Sequence, residues 1–146
     1  MNDTTKEILD TVQVGALATV NRDRTPLVTP LHFARYKNDN IIWISDRGSR
    51  HSSNAFRNGR AEFVVWDERK RAVFLTTTVS ELPEEETEAA LAAYSEKLGD
   101  FRPKLERSQI YIAPIGELDE KTTTENWLHY IDRKSTRLNS SHVKLS

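Results

Sequence analysis

The chain has 146 residues, with 37% hydrophobic and 29% charged content and a formal net charge of −1. That length supports one core, and the near-neutral balance excludes the basic footprint of a nucleic-acid binder. The absence of cysteine excludes disulfides, zinc–thiolate sites and a thiol nucleophile. The polar, acidic start from Met1 to Glu7 is unlike a secretory signal, and no apolar run approaches the ~20 residues of a membrane helix. The chain therefore reads as cytoplasmic, with neither a nucleic-acid nor a membrane partner.

Thr4 and Glu7 have capping-box spacing and open a first helix, with Ile8, Leu9 and Val12 on one face. Val14 to Val20 reads as a strand and Asn21 to Arg24 as a polar turn. Leu27 to Ala34 is a second strand. It is interrupted by Pro30, whose missing donor places it at an edge, a bulge or a barrel rim. A hairpin turn, Lys37 to Asn40, leads into Ile41-Ile42-Trp43-Ile44, a buried-strand composition that stops at Ser45. A glycine turn follows, then a Ser-Arg-His cluster that opens a short helix ending at Gly59. Ala61 to Trp66 is a fourth strand, and Asp67 to Lys70 turns into a long fifth, Ala72 to Leu82. Pro83 and Glu84 to Glu86 start a helix with acids in its first turn; Leu91, Tyr94 and Leu98 form its stripe and Gly99 ends it. Ser108 to Ile115 is a sixth strand, and Glu125 to Ile131 a short helix packing through Trp127 and Tyr130. The pattern is mainly β with α (α+β): six antiparallel strands in a barrel with flanking helices.

The chemistry concentrates where the third strand meets the second helix. Ser45, Ser49, Arg50, His51 and Ser52 converge there. Free N–H groups and the helix dipole favour an anion at such a point, and arginine grips phosphate with two parallel hydrogen bonds. The plainer alternative is that Ser49 only caps the helix while Arg50 and His51 face water, and local pattern leaves the two evenly balanced. A Ser/His/Asp hydrolase could draw on Ser52, His51 and Asp46, but there is no Gly-x-Ser-x-Gly elbow. Apart from the C-terminal segment, the histidines are His32, His51 and His129, without paired ligand spacing, so no metal site is expected. Trp43, Trp66 and Trp127 are expected to fill core or interface.

Three segments in order carry a resemblance. They are Leu17 to Val20 with Pro26 to Leu31; Trp43-Ile44-Ser45 with Gly48 to Asn54; and Asn58 to Val65 before a long strand and an acidic helix. Over residues 14–114 the chain resembles the pyridoxamine 5'-phosphate oxidase-like family of FMN-binding split barrels. The resemblance implies a six-stranded antiparallel split β-barrel with flanking helices, FMN as cofactor, and a homodimer with the cofactor between subunits. It implies that Ser45, Ser49, Arg50 and His51 hold the FMN phosphate, with His51 where a lysine is common, and that Thr29, Pro30 and Leu31 offer backbone groups to the flavin ring. Relatives that oxidise pyridoxamine phosphate often carry a glutamine on the fifth strand, where Ala72 aligns here. They also end in an Arg-Leu-Ala-Pro segment, where this chain has Tyr111-Ile112-Ala113-Pro114 in a strand. The resemblance thus speaks to the fold and flavin site more than to that oxidase reaction. It implies an FMN-dependent oxidoreductase acting on a small molecule, with oxygen or a nicotinamide as redox partner and its catalytic residues unassigned. The alternatives are a non-catalytic flavin-binding or flavin-sensing protein, or a relative binding deazaflavin or haem.

Residues Asp132 to His142 resemble the translation of a sequencing-library adapter. Asp132 to Ser146 is therefore expected to be a non-native tail behind a domain of residues 1–131, with the native chain continuing differently past Ile131. The tail holds Arg133, Lys134, Arg137 and Lys144 against Asp132, which leaves residues 1–131 acidic, with 17 basic against 21 acidic side chains. Its few large apolar residues, Leu138, Val143 and Leu145, predict little packing on the domain.

Overall fold

The computed structural model describes residues 1–100 and 107–133. Among them are three helices: α1 (Asp3–Thr11), α2 (Arg50–Asn58) and α3 (Thr87–Leu98), the last following a 3-10 turn at Glu84–Glu86. Ten strands accompany them: β1 (Val14–Val20), β2 (Pro26–His32), β3 (Ala34–Tyr36), β4 (Asn40–Asp46), β5 (Arg60–Trp66), β6 (Ala72–Thr78), β7 (Ser80–Glu81), β8 (Ser108–Pro114), β9 (Glu117–Leu118) and β10 (Trp127–Ile131). No helix among the described residues is long and apolar enough to cross a membrane.

The fold is mixed α+β, but it is not the expected six antiparallel strands. One sheet runs β2-β1-β5-β6-β10-β9 and the other β3-β4-β8-β7, and neither order closes on itself. The β6–β10 pair is parallel while the other pairs are antiparallel. Two expected strands are each divided between the sheets. The second breaks at Phe33, so that β2 edges the larger sheet and β3 edges the smaller. Phe33 is fully buried and meets Phe63 edge-on at 5.1 Å, so a buried ring sits at the crossing. The expected fifth strand breaks at Val79, with β6 in the larger sheet and β7 in the smaller. Chain crossings of this kind oblige the two sheets to share one core.

The expected helix over 125–131 is instead β10. Leu128 and Tyr130 are buried while Trp127 is exposed and His129 half-buried, an alternation of period two that belongs to a strand. Capping also differs at α1: Asn2, rather than a Thr4–Glu7 box, caps the helix by accepting the Thr5 N–H at 2.8 Å. Thr5 turns inward, its hydroxyl 2.8 Å from the phenol of Tyr130. Pro30 lies on β2, an edge strand, where a missing ladder donor costs little.

Trp43 sits between the sheets, stacked on Phe63 of β5 at 6.1 Å and Tyr111 of β8 at 6.2 Å. The opposite face of β4 is also covered, because Ile42 packs in a second cluster with Tyr36, Ala90, Tyr94 and Ile110 under α3. Burial on both faces explains why residues 41–44 are uninterruptedly apolar. Lys97 of α3 donates to the carbonyls of Leu9 (2.8 Å) and Val12 (2.6 Å) at the end of α1, with its amine 3.6 Å above the Phe33 ring. Burial pushes that amine down to about 7, while the carbonyls and ring favour its protonated form.

Asp132 extends the β10 ladder. Its N–H donates to the Thr76 carbonyl at 2.9 Å, and its carboxylate accepts from the Thr78 hydroxyl at 3.2 Å. Arg133 pairs with Asp119 at 2.8 Å. The remainder of the expected tail, residues 134–146, including Leu138, Val143 and Leu145, lies outside the described residues.

Between β8 and β9 the chain turns at Gly116, with φ +83° and so little space that an added Cβ would lie 2.3 Å from the Ile131 carbonyl oxygen. Gly116→Ala therefore has to move β10 or strain the turn, and we expect it to cost about 1–3 kcal/mol. Urea unfolding of the variant against the parent measures this directly; equal midpoints would contradict the placement of β10.

Candidate functional site

The end of β4 and the start of α2 are joined by a short loop organised by Asp46. Its side-chain carboxylate accepts the Gly48 N–H at 2.6 Å, and its main-chain carbonyl accepts the Ser49 N–H at 3.1 Å. This fold-back delivers Ser49 to the N-cap of α2, where its side chain accepts the Ser52 N–H at 3.3 Å. At the other end Gly59, in the left-handed region at φ +73°, stops the helix.

Asn54 and Arg57 then fix α2 against β1. Asn54 is buried and donates to Thr19 Oγ1 and Asn21 Oδ1, each at 3.0 Å. Arg57 donates to the Val20 carbonyl. Neither residue stood out in the sequence, although Arg57 follows Arg50 by seven positions and so lies on the same helix face.

Three of the expected residues come into direct contact. His51 Nε2 lies 2.9 Å from Ser45 Oγ and 3.3 Å from Ser49 Oγ. Ser49 Oγ is also 2.7 Å from Ser52 Oγ, so Ser52 belongs with the group. Ser45 and Ser52 are buried. Burial lowers the pKa of His51 below its ordinary 6.5, which leaves a neutral ring at pH 7 able to give or take one hydrogen bond at Nε2.

Arg50 does not join this contact. It is exposed, forms no ion pair with the described residues, and lines a pocket of about 570 Å3 with Arg22, Gly48, Ser53, Asn54 and Arg57. The N–H groups of Arg50 and His51 fall in the first turn of α2 and have no intrahelical acceptor. The loop thus presents a guanidinium, two free amides and a hydroxyl–imidazole cluster around one helix start, a donor set matched to an oxyanion.

Thr29, Pro30 and Leu31 lie on β2, paired with Leu17, Ala16 and Gly15. No hydrogen bond joins them to the serine–histidine cluster. Leu31 is buried in the core, Thr29 is half-buried and Pro30 exposed. Because β2 is an edge strand, its alternate backbone groups are turned away from β1 and open to a partner. Ala72, on β6, is buried between two exposed tryptophans: it is register partner to Trp66 on one side and Trp127 on the other. Among the described residues no group of three or more His, Cys, Asp or Glu side chains could hold a metal ion.

Residues 1–115 match the model of the pyridoxamine 5'-phosphate oxidase family. The chain belongs to that family. Solved structures share the fold at low identity. The haem storage protein HutZ from Vibrio cholerae matches at 17% identity over 78% of this chain and 89% of its own, with a TM-score of 0.66. An FAD-binding protein from Mesorhizobium loti matches at 18% identity over 80% and 91%, TM-score 0.61. An F420 reductase matches at 17% identity over 78% and 94%, TM-score 0.62. No curated protein matches the chain. Membership of the family and these likenesses establish the fold.

The lowered pKa of His51 has a consequence for stability. Below pH 6.5 the unfolded chain takes up a proton that the folded chain resists, so the contribution present above 6.5 is lost as pH falls through the folded value. Urea midpoints should therefore decline over this range, and His51→Asn should flatten the decline. An NMR titration placing His51 at or above 6.5 would contradict the burial-driven shift.

Proposed function

We propose that this protein is a cytoplasmic, homodimeric FMN-binding flavoprotein, and that it acts as an FMN-dependent oxidoreductase on a small molecule. The observation that carries this reading is the oxyanion-matched donor set at the start of α2, on a family fold. In it Ser45, Ser49 and His51 would receive phosphate oxygens through neutral hydrogen bonds. Arg50, which has no ion pair among the described residues, would supply the charge. His51, held neutral by burial, would contribute a donor rather than a second cation. Thr29, Pro30 and Leu31 would meet the ring through the open edge of β2.

Bound flavin supplies hydride acceptance at its N5 position. The side chains then need only to bind, orient and shield, which is consistent with a site holding no paired acid and base. One feature favours a second reading, non-catalytic flavin binding or sensing: by the family resemblance Ala72 aligns where relatives often carry a glutamine that touches the ring, and a methyl group makes no such polar contact. Deazaflavin and haem relatives have the same fold; the phosphate-matched donors favour a phosphate-bearing flavin over haem, and FMN rather than deazaflavin is our reading from the family resemblance.

The homodimer is supported by the outer face of the larger sheet. Register places Val14, Val20, Val28, Trp66 and Trp127 on that one face. Val28, Trp66 and Trp127 are 63%, 55% and 57% exposed. An apolar face of this kind is normally covered, and a second copy of the chain covers it symmetrically.

Arg50→Ala should weaken FMN by ~1.5–3 kcal/mol, roughly ten- to a hundredfold, and leave riboflavin unchanged because it lacks the phosphate. Flavin-fluorescence titration reads both; an equal loss for the two ligands would remove Arg50 from the phosphate site. Wild-type protein that is folded yet quenches no flavin would sink the reading as a whole. In sedimentation, the parent should run as a dimer at micromolar concentration and Val28→Glu as a monomer. A monomeric parent with FMN present would count against the shared site.

A further inference from the structure

We propose that the groove along the exposed side of α2 takes a nucleoside diphosphate moiety; it adjoins the serine–histidine cluster through Ser52 and shares Arg22, Ser53 and Arg57 with the pocket that Arg50 lines. Two adjoining pockets form it. The first, about 690 Å3, is walled by Arg22, Arg47 and Arg57, with Ser52 and Ser53 also in its lining. The second, about 320 Å3, lies between Ala55, Phe56, Val79 and Tyr111. Phe56, Glu81 and Tyr111 line both, so the pockets are neighbours.

Each part selects a different part of the ligand. Arg22 has no hydrogen bond or ion pair among the described residues. Arg57 is oriented by the Val20 carbonyl and by Asn54 Oδ1 at 3.2 Å, which engage Nη2 and leave its other nitrogens available. Arg47 pairs with Glu81 at 3.3 Å and with Gln109 at 2.6 Å. Three guanidiniums thus face one carboxylate, an excess of positive charge suited to a diphosphate. Phe56 is 85% exposed, an aromatic face held beside the arginines and next to an apolar recess, as base stacking requires. Glu81 keeps acceptor capacity beyond its arginine for a base N–H. A bare anion has no use for the apolar recess, and a nucleoside has no use for the arginines. A nucleoside diphosphate uses both.

Titration calorimetry on the full-length protein with ADP, adenosine and inorganic pyrophosphate tests the assignment. ADP should bind, with adenosine and pyrophosphate each at least about tenfold weaker. Phe56→Ala and Arg22→Glu should each weaken ADP about tenfold, with unchanged melting since both side chains are exposed, and Phe56→Tyr should restore binding. NADH binding at least as tightly as ADP would show the moiety to be half of a dinucleotide, whereas ADP alone binding would show a free nucleotide; either supports the site. Pyrophosphate binding as tightly as ADP would reduce the groove to a simple anion patch and overturn the proposal. So would unaffected variants or no ADP binding at about 1 mM. The result is independent of the flavin reading: FMN that fails to bind removes that reading alone, and FMN affinity should not change in Phe56→Ala.

Discussion

Trp43 holds the molecule together at the point where its sheets meet. It extends from β4 of the smaller sheet into the space between the sheets and stacks on Phe63 of the larger one and on Tyr111, its register partner on β8. An aromatic ring of this size, buried to 1% exposure, dominates local packing energy and sets the sheet separation. Ser45 stands two residues further along the same strand and so faces the same way. The position of the candidate site therefore follows from the packing of the tryptophan: β4 is clamped by its core ring, and its last residues emerge at the rim with a hydroxyl in place.

The site is local in sequence but held from a distance. The Asp46 loop, the Ser49 cap and the His51–Ser45 contact all fall within seven residues. What fixes α2 in space is Asn54 and Arg57 gripping the end of β1, more than thirty residues upstream. This division has a functional sense, since a site built on short contacts and anchored on a core strand keeps its donors preorganised before any ligand arrives. His51 contributes to that preorganisation as a neutral ring, whereas a lysine at the same place would bring charge and a flexible stem. In this chain the charge comes instead from arginines arrayed along and beside the helix.

The outer face of the larger sheet poses a different constraint. Trp66 and Trp127 flank the small, buried Ala72 on a surface that also exposes Val28.

The β1 boundaries, the β4 strand and the extent of α2 from its serine cap to Gly59 were legible in the amino-acid sequence, and for Pro30 the sequence left an edge, a bulge or a barrel rim, of which the fold has the edge. Each is set by short-range chemistry: residue alternation, a capping hydroxyl, a glycine φ, a missing N–H. The proximity of Ser45, Ser49 and His51 was legible for the same reason. Division of the second and fifth strands between two sheets was not, because the breaks at Phe33 and Val79 carry no glycine or proline and depend on which sheet each half joins. β10 was misread as a helix because its parallel pairing with β6 joins residues more than fifty positions apart. That Arg50 lines a groove with Arg22 and Arg57 was likewise settled only by tertiary structure. A charged side chain follows whichever surface the packing of its backbone leaves open, and that packing is decided by residues far away in the chain.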